Sequence, residues 1–340
     1  MTDDNDSVML ICANPGCRVA ENGRCIEGID LAACPHYGRE LESHSEVGSD
    51  ETEIVDGPLG VALVGAGTLT LAETSRLLRT GDARVIAIVG PSDAGKTSLI
   101  ASLYDLFQEG ALSGIEYARS QTLHAFEHTC HDARAASRRG TPHMNRTPRG
   151  EVRFYHLELG GGLAGDKLIL ALGDRAGEEY RETTDDASMV DAFPEIRRAD
   201  SLTVLIDGKR LLDLGARHNL RSEITMILQA FVDGGAIQAY HRLALVLTKI
   251  DIVQESLHHA RAAADFDSLS AHIRRIFGHA FSVIETFKVT ASPETDALER
   301  GAGIPDLLSF WLKPTFARTQ SLTTIAPARR AFARLVARDT

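Results

Sequence analysis

The chain is poor in aromatic residues and has no apolar segment long enough to cross a membrane. Phe, Trp and Tyr make up 6% of its 340 residues, and only one residue is a tryptophan. A spanning helix needs about 20 consecutive apolar residues, and no run of that length is apolar throughout. Residues 1–6 lack a basic region and an apolar core, so we expect no secretory signal and a cytoplasmic location.

Acidic residues are concentrated at one end of the chain. Residues 1–60 contain 13 acidic and three basic residues, so they carry ten of the eleven net negative charges. The remainder is close to neutral. An acidic start repels polyanions, and we therefore expect no specific nucleic-acid partner.

Cysteine is scarce outside the first forty residues. Four of the five cysteines fall in that segment, and without an export signal disulfides are disfavoured. Two interpretations stay open: a structural Zn²⁺ site built on turns, or free cysteines in a flexible segment. His36 could replace the last cysteine as a ligand. The predicted zinc ligands are Cys12, Cys17, Cys25 and Cys34.

Composition divides the chain into four parts. Residues 1–40 form a Cys-rich module, and 41–57 form an acidic linker. Residues 58–318 form the main domain, and 319–340 form a helical tail.

Within the main domain, apolar runs alternate with helical patterns. The strands are predicted at 84–89, 152–159, 168–173, 202–206, 243–248 and 286–290. The helices are predicted at 69–78, 95–108, 121–137, 211–232, 266–279 and 303–312. Glycines 161 and 162 indicate a hairpin, which makes one edge strand antiparallel. The pattern predicts an α/β fold of three layers around a mostly parallel sheet of six strands.

The first predicted strand leads into G-P-S-D-A-G-K-T at 90–97, and a helical pattern follows. The spacing G-x-x-x-x-G-K-T is that of a phosphate-binding loop, whose backbone N–H groups surround a polyphosphate. Lys96 is expected to reach the β- and γ-phosphates, and the Thr97 hydroxyl to ligate Mg²⁺. We predict that a nucleoside triphosphate contacts Gly90, Ser92, Asp93, Ala94, Gly95, Lys96, Thr97 and Ser98.

A second motif, D-x-x-G, ends the predicted strand 168–173. Asp174 is expected to hold Mg²⁺ through water, and the Gly177 N–H to meet the γ-phosphate. This loop would then respond to the presence of that phosphate.

Two further motifs concern the base. In T-K-I-D at 248–251, a carboxylate at Asp251 accepts two hydrogen bonds from guanine, a donor pair that adenine lacks. We expect Thr248 beside it and the Lys249 stem along the base. The T-A-S sequence at 290–292 places a backbone N–H near Ala291 for the guanine carbonyl oxygen.

The four motifs occur in one order, each after an apolar run, over roughly residues 83–315. They resemble the P-loop GTPases of the translation-factor and Ras-like (TRAFAC) class. The resemblance implies a Ras-like fold, GTP or GDP with Mg²⁺, and hydrolysis of GTP as a molecular switch. Thr248 stands where this class has asparagine, but Asp251 is kept.

Together with the cysteine-bearing start, the domain is similar to bacterial proteins of the double-GTPase type. That likeness implies a protein partner that is itself a second GTPase, in a conflict or defence system.

The sequence departs from this class near the switches. The threonine that closes over Mg²⁺ is expected in the long stretch 110–150, where Thr147 is best placed and Thr141 next. Glu178 stands where Ras-like proteins have the water-positioning glutamine. Because an ionised carboxylate is repelled by the nucleotide, we expect slow hydrolysis. The predicted catalytic residues are Lys96, Thr97, Thr147 and Glu178.

Two alternatives stay open beside the switch. Glu178 favours a GTP-binding scaffold with negligible hydrolysis. An ATPase is the other alternative, and Asp251 argues against it. Arg175, inside D-x-x-G, is either an arginine finger or a solvated side chain.

Overall fold

The computed structural model describes residues 19, 23, 30–34, 37, 67–138, 147, 149–150, 152–161, 167–183, 187–294 and 298–314. It divides into two units, residues 1–61 and 62–340.

In the first unit, a short 3₁₀ helix runs over Leu31–Ala33, and the Asp30 carboxylate caps it by accepting the Ala32 N–H. Cys34 follows as a half-buried cysteine without a disulfide. The other three predicted zinc ligands, Cys12, Cys17 and Cys25, lie outside the described residues, as does His36.

The second unit is built on one sheet with the order β2-β3-β4-β1-β5-β6-β7. Its strands are β1 Asp82–Val89, β2 Ile115–Arg119, β3 Arg153–Gly161, β4 Leu168–Asp174, β5 Ser201–Asp207, β6 Arg242–Thr248 and β7 Val283–Lys288. Strands β4, β1, β5, β6 and β7 are mutually parallel, and β3 runs antiparallel to both its neighbours. The expected α/β class is confirmed.

Ten α-helices are described in this unit. They are α1 Leu71–Leu77, α2 Lys96–Glu109, α3 Leu123–Arg138, α4 Gly177–Glu182, α5 Pro194–Arg198, α6 Gly208–Leu212, α7 Ala216–Asp233, α8 Ile250–Glu255, α9 His259–Phe277 and α10 Ile304–Leu312. A 3₁₀ helix covers Ala187–Ala192. None of these helices, over the residues the structure describes, is long and apolar enough to cross a membrane.

The sheet has seven strands where the sequence predicted six. The additional strand is β2, which pairs with β3, so the antiparallel strand is second from the edge rather than at the edge. Strand β2 was missed because none of its residues is fully buried and it has no continuous apolar run. The helix predicted at 211–232 is two helices, α6 and α7.

Apolar clusters on the two faces of the sheet complete three layers. One face of β1, β5 and β6 packs against α7 and α9, and the other face packs against α2, α3 and α10. Because both faces are covered, β5 and β6 are buried along their whole length. Helix α1 packs over β1, β3 and β4, as the pattern at 69–78 predicted.

The packing of the core predicts that two substitutions in α7 change the free energy of unfolding by different amounts. Phe231 is fully buried against Tyr180 and Phe193, whereas Met226 is 49% exposed. Phe231→Ala should lower the free energy of unfolding by about 3–5 kcal/mol because it leaves a cavity. Met226→Ala should change it by less than about 0.5 kcal/mol. Denaturant unfolding followed by emission of Trp311, the single tryptophan, measures both, and equal losses would contradict this packing.

Candidate functional site

The candidate site lies at the carboxyl edge of the parallel strands, around the end of β1. In the sheet, β1 lies between β4 and β5. From β1 the chain runs through β2 and β3 to β4 on one side, and then crosses to β5 on the other side. Such a change in strand order leaves a crevice where ligands bind in α/β proteins. The loops after β1, β4, β6 and β7 contain all four sequence motifs.

The loop after β1 has the backbone of a phosphate-binding loop. Gly95, just before α2, has φ of 92°, a conformation that side chains rarely adopt. Asp93 also has a positive φ, of 63°. The loop delivers the chain into the first turn of α2, where backbone N–H groups and the helix dipole favour an anion. Ser98 lies in that first turn and is half-buried.

Lys96 folds back over this loop. Its Nζ donates to the carbonyl oxygens of Gly90 and Pro91 at 3.0 and 3.1 Å, and the residue is 6% exposed. Burial lowers the pKa of Lys96, while the carboxylates of Asp174 and Glu178 oppose that shift. The ammonium is therefore shielded from water and lies close to two carboxylates. Because the dielectric constant is low in such a site, its attraction for an anion is strong.

Three predicted metal ligands converge beside it. The hydroxyls of Thr97 and Thr147 each lie 3.2 Å from Oδ2 of Asp174 and 3.3 Å from each other. These groups come from α2, from the first-switch stretch and from the end of β4. Thr122 and Thr129, in that same stretch, instead bond to His156 and Tyr155, and Thr141 lies outside the described residues.

The residues present fit a magnesium ion. Asp174 is 4% exposed, and its second oxygen, Oδ1, is buried and has no hydrogen-bond partner among the residues that the structure describes. Burial raises the pKa of Asp174, with Lys96 and both threonine hydroxyls acting in the opposite direction. Magnesium prefers hard oxygen ligands and is usually held by one or two protein groups together with phosphates and water. An unsatisfied carboxylate oxygen next to two hydroxyls is such a donor set.

The D-x-x-G loop contacts the phosphate loop directly. A Cβ at Gly177 would lie 2.5 Å from the Ser92 backbone nitrogen and 2.8 Å from the Lys96 ammonium, so only glycine fits there. The next residue, Glu178, accepts a hydrogen bond at 2.5 Å from the Ser92 hydroxyl. The sequence did not predict this link between Ser92 and Glu178.

The base-reading motif is tied to the same loop. The Thr248 hydroxyl donates to the Ala94 carbonyl at 3.0 Å, two residues before Lys96. Asp251 lies in the first turn of α8 and is 1% exposed. Its Oδ2 accepts the Glu294 N–H at 2.8 Å, and its buried Oδ1 has no hydrogen-bond partner within the described part of the chain. The Thr248–Ala94 bond links the strand before Asp251 to the loop before Lys96.

The remaining base-motif residues are Lys249 and Ala291. Lys249 has a positive φ of 55° and pairs through Nζ with Oδ2 of Asp207 at 3.0 Å. Ala291 is half-buried, and three residues further along the chain the Glu294 N–H donates to Asp251. Sequence reasoning missed Asp207, although its position after the apolar run of β5 signals the carboxyl edge.

Two further expectations can be compared with the geometry. Arg175 is neither a solvated side chain nor placed as an arginine finger, because it is 5% exposed and paired with Glu195. In the part of the chain that the structure describes, no three His, Cys, Asp or Glu residues group to hold a metal. The magnesium candidate is not such a group because two of its three donors are hydroxyls.

Comparison with known proteins places this site in a family. The family model described as Double-GTPase 2 matches residues 84–312, more than half of the chain. The chain belongs to this family. It is therefore a GTP-binding P-loop GTPase, as the order of the motifs predicted, and one of the double-GTPase type, as the likeness to such proteins implied. A search of curated proteins found no match.

The Thr248–Ala94 bond leads to a prediction about the affinity of this GTPase for GDP. Thr248→Val keeps the shape but leaves the buried Ala94 carbonyl without its donor, which costs about 1–1.5 kcal/mol. The dissociation constant for GDP should then rise about tenfold. Thr225→Val makes the same change on α7, where the hydroxyl bonds only within its own helix. Equal GDP affinity of the two variants in titration calorimetry would show that the bond does not support the site.

Proposed function

We propose that this chain binds GTP and Mg²⁺ in the cleft described and slowly hydrolyses GTP to GDP and phosphate as a molecular switch. The observation that carries the proposal is the convergence of Thr97, Thr147 and Asp174 next to Lys96. Thr97 belongs to the helix after the phosphate loop, Thr147 to the first switch and Asp174 to the second switch. These are the three segments that must respond to the γ-phosphate. Their meeting at one point links phosphate binding to the conformation of both switches.

Lys96 supplies the principal positive charge from the protein. Its ammonium is already desolvated and now binds two carbonyl oxygens, which phosphate oxygens can replace. In hydrolysis a water attacks the γ-phosphorus and the bond to the β–γ bridging oxygen breaks. A fixed cation stabilises the charge that develops on the phosphoryl oxygens. When bound, Mg²⁺ supplies further neutralisation of the same oxygens, held by Thr97, Thr147 and Asp174.

Glu178 orients the water in this proposal. Its carboxylate can accept a hydrogen bond from water but cannot donate one while it is ionised. The Ser92 hydroxyl and the nearby Lys96 ammonium hold that carboxylate in place and reduce its repulsion from the nucleotide. Because an ionised Glu178 cannot donate to the γ-phosphate, we expect turnover to be slow, on the order of 10⁻⁴ to 10⁻² s⁻¹.

Asp251 selects guanine in this proposal. One carboxylate oxygen accepts a backbone N–H, and the other is buried with no partner among the described residues. The N1–H and N2–H₂ groups of guanine supply donors to this carboxylate. Adenine would leave it unpaired, at a cost of a few kcal/mol.

The remaining predictions concern partners and location. We propose a second GTPase as protein partner in a bacterial conflict system, a cytoplasmic location and zinc at the four N-terminal cysteines. The family name supports the partner, and the cysteine spacing supports the zinc.

Replacing Lys96 tests the proposed function. Lys96→Ala removes a charged donor worth about 1.5–3 kcal/mol per bond, so GTP affinity should fall roughly 100-fold and turnover should be lost. The matched control is Lys167→Ala, because Lys167 is exposed and lies at the opposite end of β4 from Asp174.

Two measurements give a clear result. Equilibrium titration with GTP gives affinity, and single-turnover hydrolysis gives the rate. Wild-type affinity and rate in Lys96→Ala would overturn the proposal. Tight binding by the wild type without phosphate release over many hours would instead establish the non-hydrolysing scaffold.

A further inference from the structure

Arg175 occupies the first variable position of D-x-x-G, and the residue is 5% exposed. Its Nε and Nη2 donate to the two oxygens of Glu195 at 2.7 and 3.3 Å, and Nη2 also donates to the Ala192 carbonyl. The guanidinium carbon lies 4.4 Å from the centre of the Phe193 ring. Burial alone would lower the pKa of Arg175, but Glu195 and Glu179 raise it above its ordinary value.

The third guanidinium nitrogen faces the first switch. Nη1 of Arg175 donates to the Glu179 carboxylate at 2.6 Å and to the Gly150 carbonyl at 3.0 Å. The second oxygen of Glu179 accepts the Gly150 N–H at 2.9 Å. Both backbone polar groups of Gly150 are therefore bound by one buried ion pair.

Gly150 follows Thr147 by three residues, a span of at most about 10 Å. Holding Gly150 confines Thr147 to the neighbourhood of the cleft. Two consecutive residues then grip the same stretch, because Asp174 binds the Thr147 hydroxyl and Arg175 binds the Gly150 carbonyl.

We propose that Arg175 and Glu179 are positioning residues that hold Gly150, and through it Thr147, against Asp174. The second switch thereby sets the position of the first with its own side chains, before any nucleotide contact is made. This inference rests on the proposed function, in which Thr147 is a magnesium ligand.

A second pair between the same segments offers a contrast. Arg149 and Glu182 lie 3.1 Å apart, but their side chains are 64% and 48% exposed. The Arg175 and Glu179 side chains are 5% and 12% exposed. Exposed pairs contribute little because water and salt screen them, whereas buried pairs have large effects when one partner is removed.

The experiment compares Glu179→Ala with Glu182→Ala, the same change three residues further along α4. Arg175 keeps Glu195 in both variants, so neither leaves an unpaired buried charge. Trp311 emission checks that both are folded. Hydrogen exchange of the Gly150 amide in the full chain, without nucleotide or metal, is the first readout. We expect exchange about tenfold faster in Glu179→Ala, the equivalent of one lost hydrogen bond, and within twofold of wild type in Glu182→Ala.

The second readout is the Mg²⁺ concentration for half-maximal binding of a non-hydrolysable GTP analogue. It should rise about tenfold in Glu179→Ala, while GDP affinity without Mg²⁺ stays unchanged, because only the position of Thr147 is lost. Glu179→Gln keeps an acceptor for the Gly150 N–H and should recover part of both effects.

Equal Gly150 exchange in Glu179→Ala and Glu182→Ala would overturn this inference, and so would equal Mg²⁺ dependence. The exchange measurement needs no nucleotide. If the wild type failed to bind GTP, the proposed function would be wrong. The Gly150 exchange rates would still test whether Glu179 holds Gly150.

Discussion

A buried carboxylate at the end of β4 is the constraint on which the site depends. Removing an anion from water costs several kcal/mol, and only nearby positive charge and hydrogen bonds offset that cost. Asp174 has two threonine hydroxyls on one oxygen, no partner on the other among the described residues, and the Lys96 ammonium as its strongest attractive charge. Through this buried carboxylate the hydroxyls of Thr97 and Thr147 are held at one point.

The two ends of the cleft are held in different ways. At the base end, the Thr248 hydroxyl joins β6 directly to the Ala94 backbone, and Asp251 is bound by the Glu294 N–H. At the phosphate end, the switches meet through side chains: Thr147 on Asp174, and Glu178 on Ser92. In the function we propose, phosphate and magnesium contacts replace the Thr147 and Glu178 contacts, whereas the contacts on the Ala94 and Glu294 backbone stay in place.

The sequence predicted the sheet and the motif order because each signal was local. Parallel strands buried on both faces appear as apolar runs, as in β5 and β6, and each motif follows such a run. Strand β2 escaped because an edge strand buries little. The contacts of Arg175 could not be predicted from the sequence for a different reason. Its partners Glu195 and Gly150 lie 20 and 25 residues away along the chain, and only the folded backbone brings them together.

The most direct test of the central claim is calorimetric titration of the chain with GDP, a non-hydrolysable GTP analogue and ADP, each with and without Mg²⁺. If Asp251 and the Asp174 group bind the two ends of one nucleotide, both guanine nucleotides bind and ADP binds at least a hundredfold more weakly, the equivalent of about 2.7 kcal/mol. Magnesium should strengthen binding of the GTP analogue most. Equal affinity for ADP and GDP, or binding of the GTP analogue that is indifferent to Mg²⁺, would contradict the account.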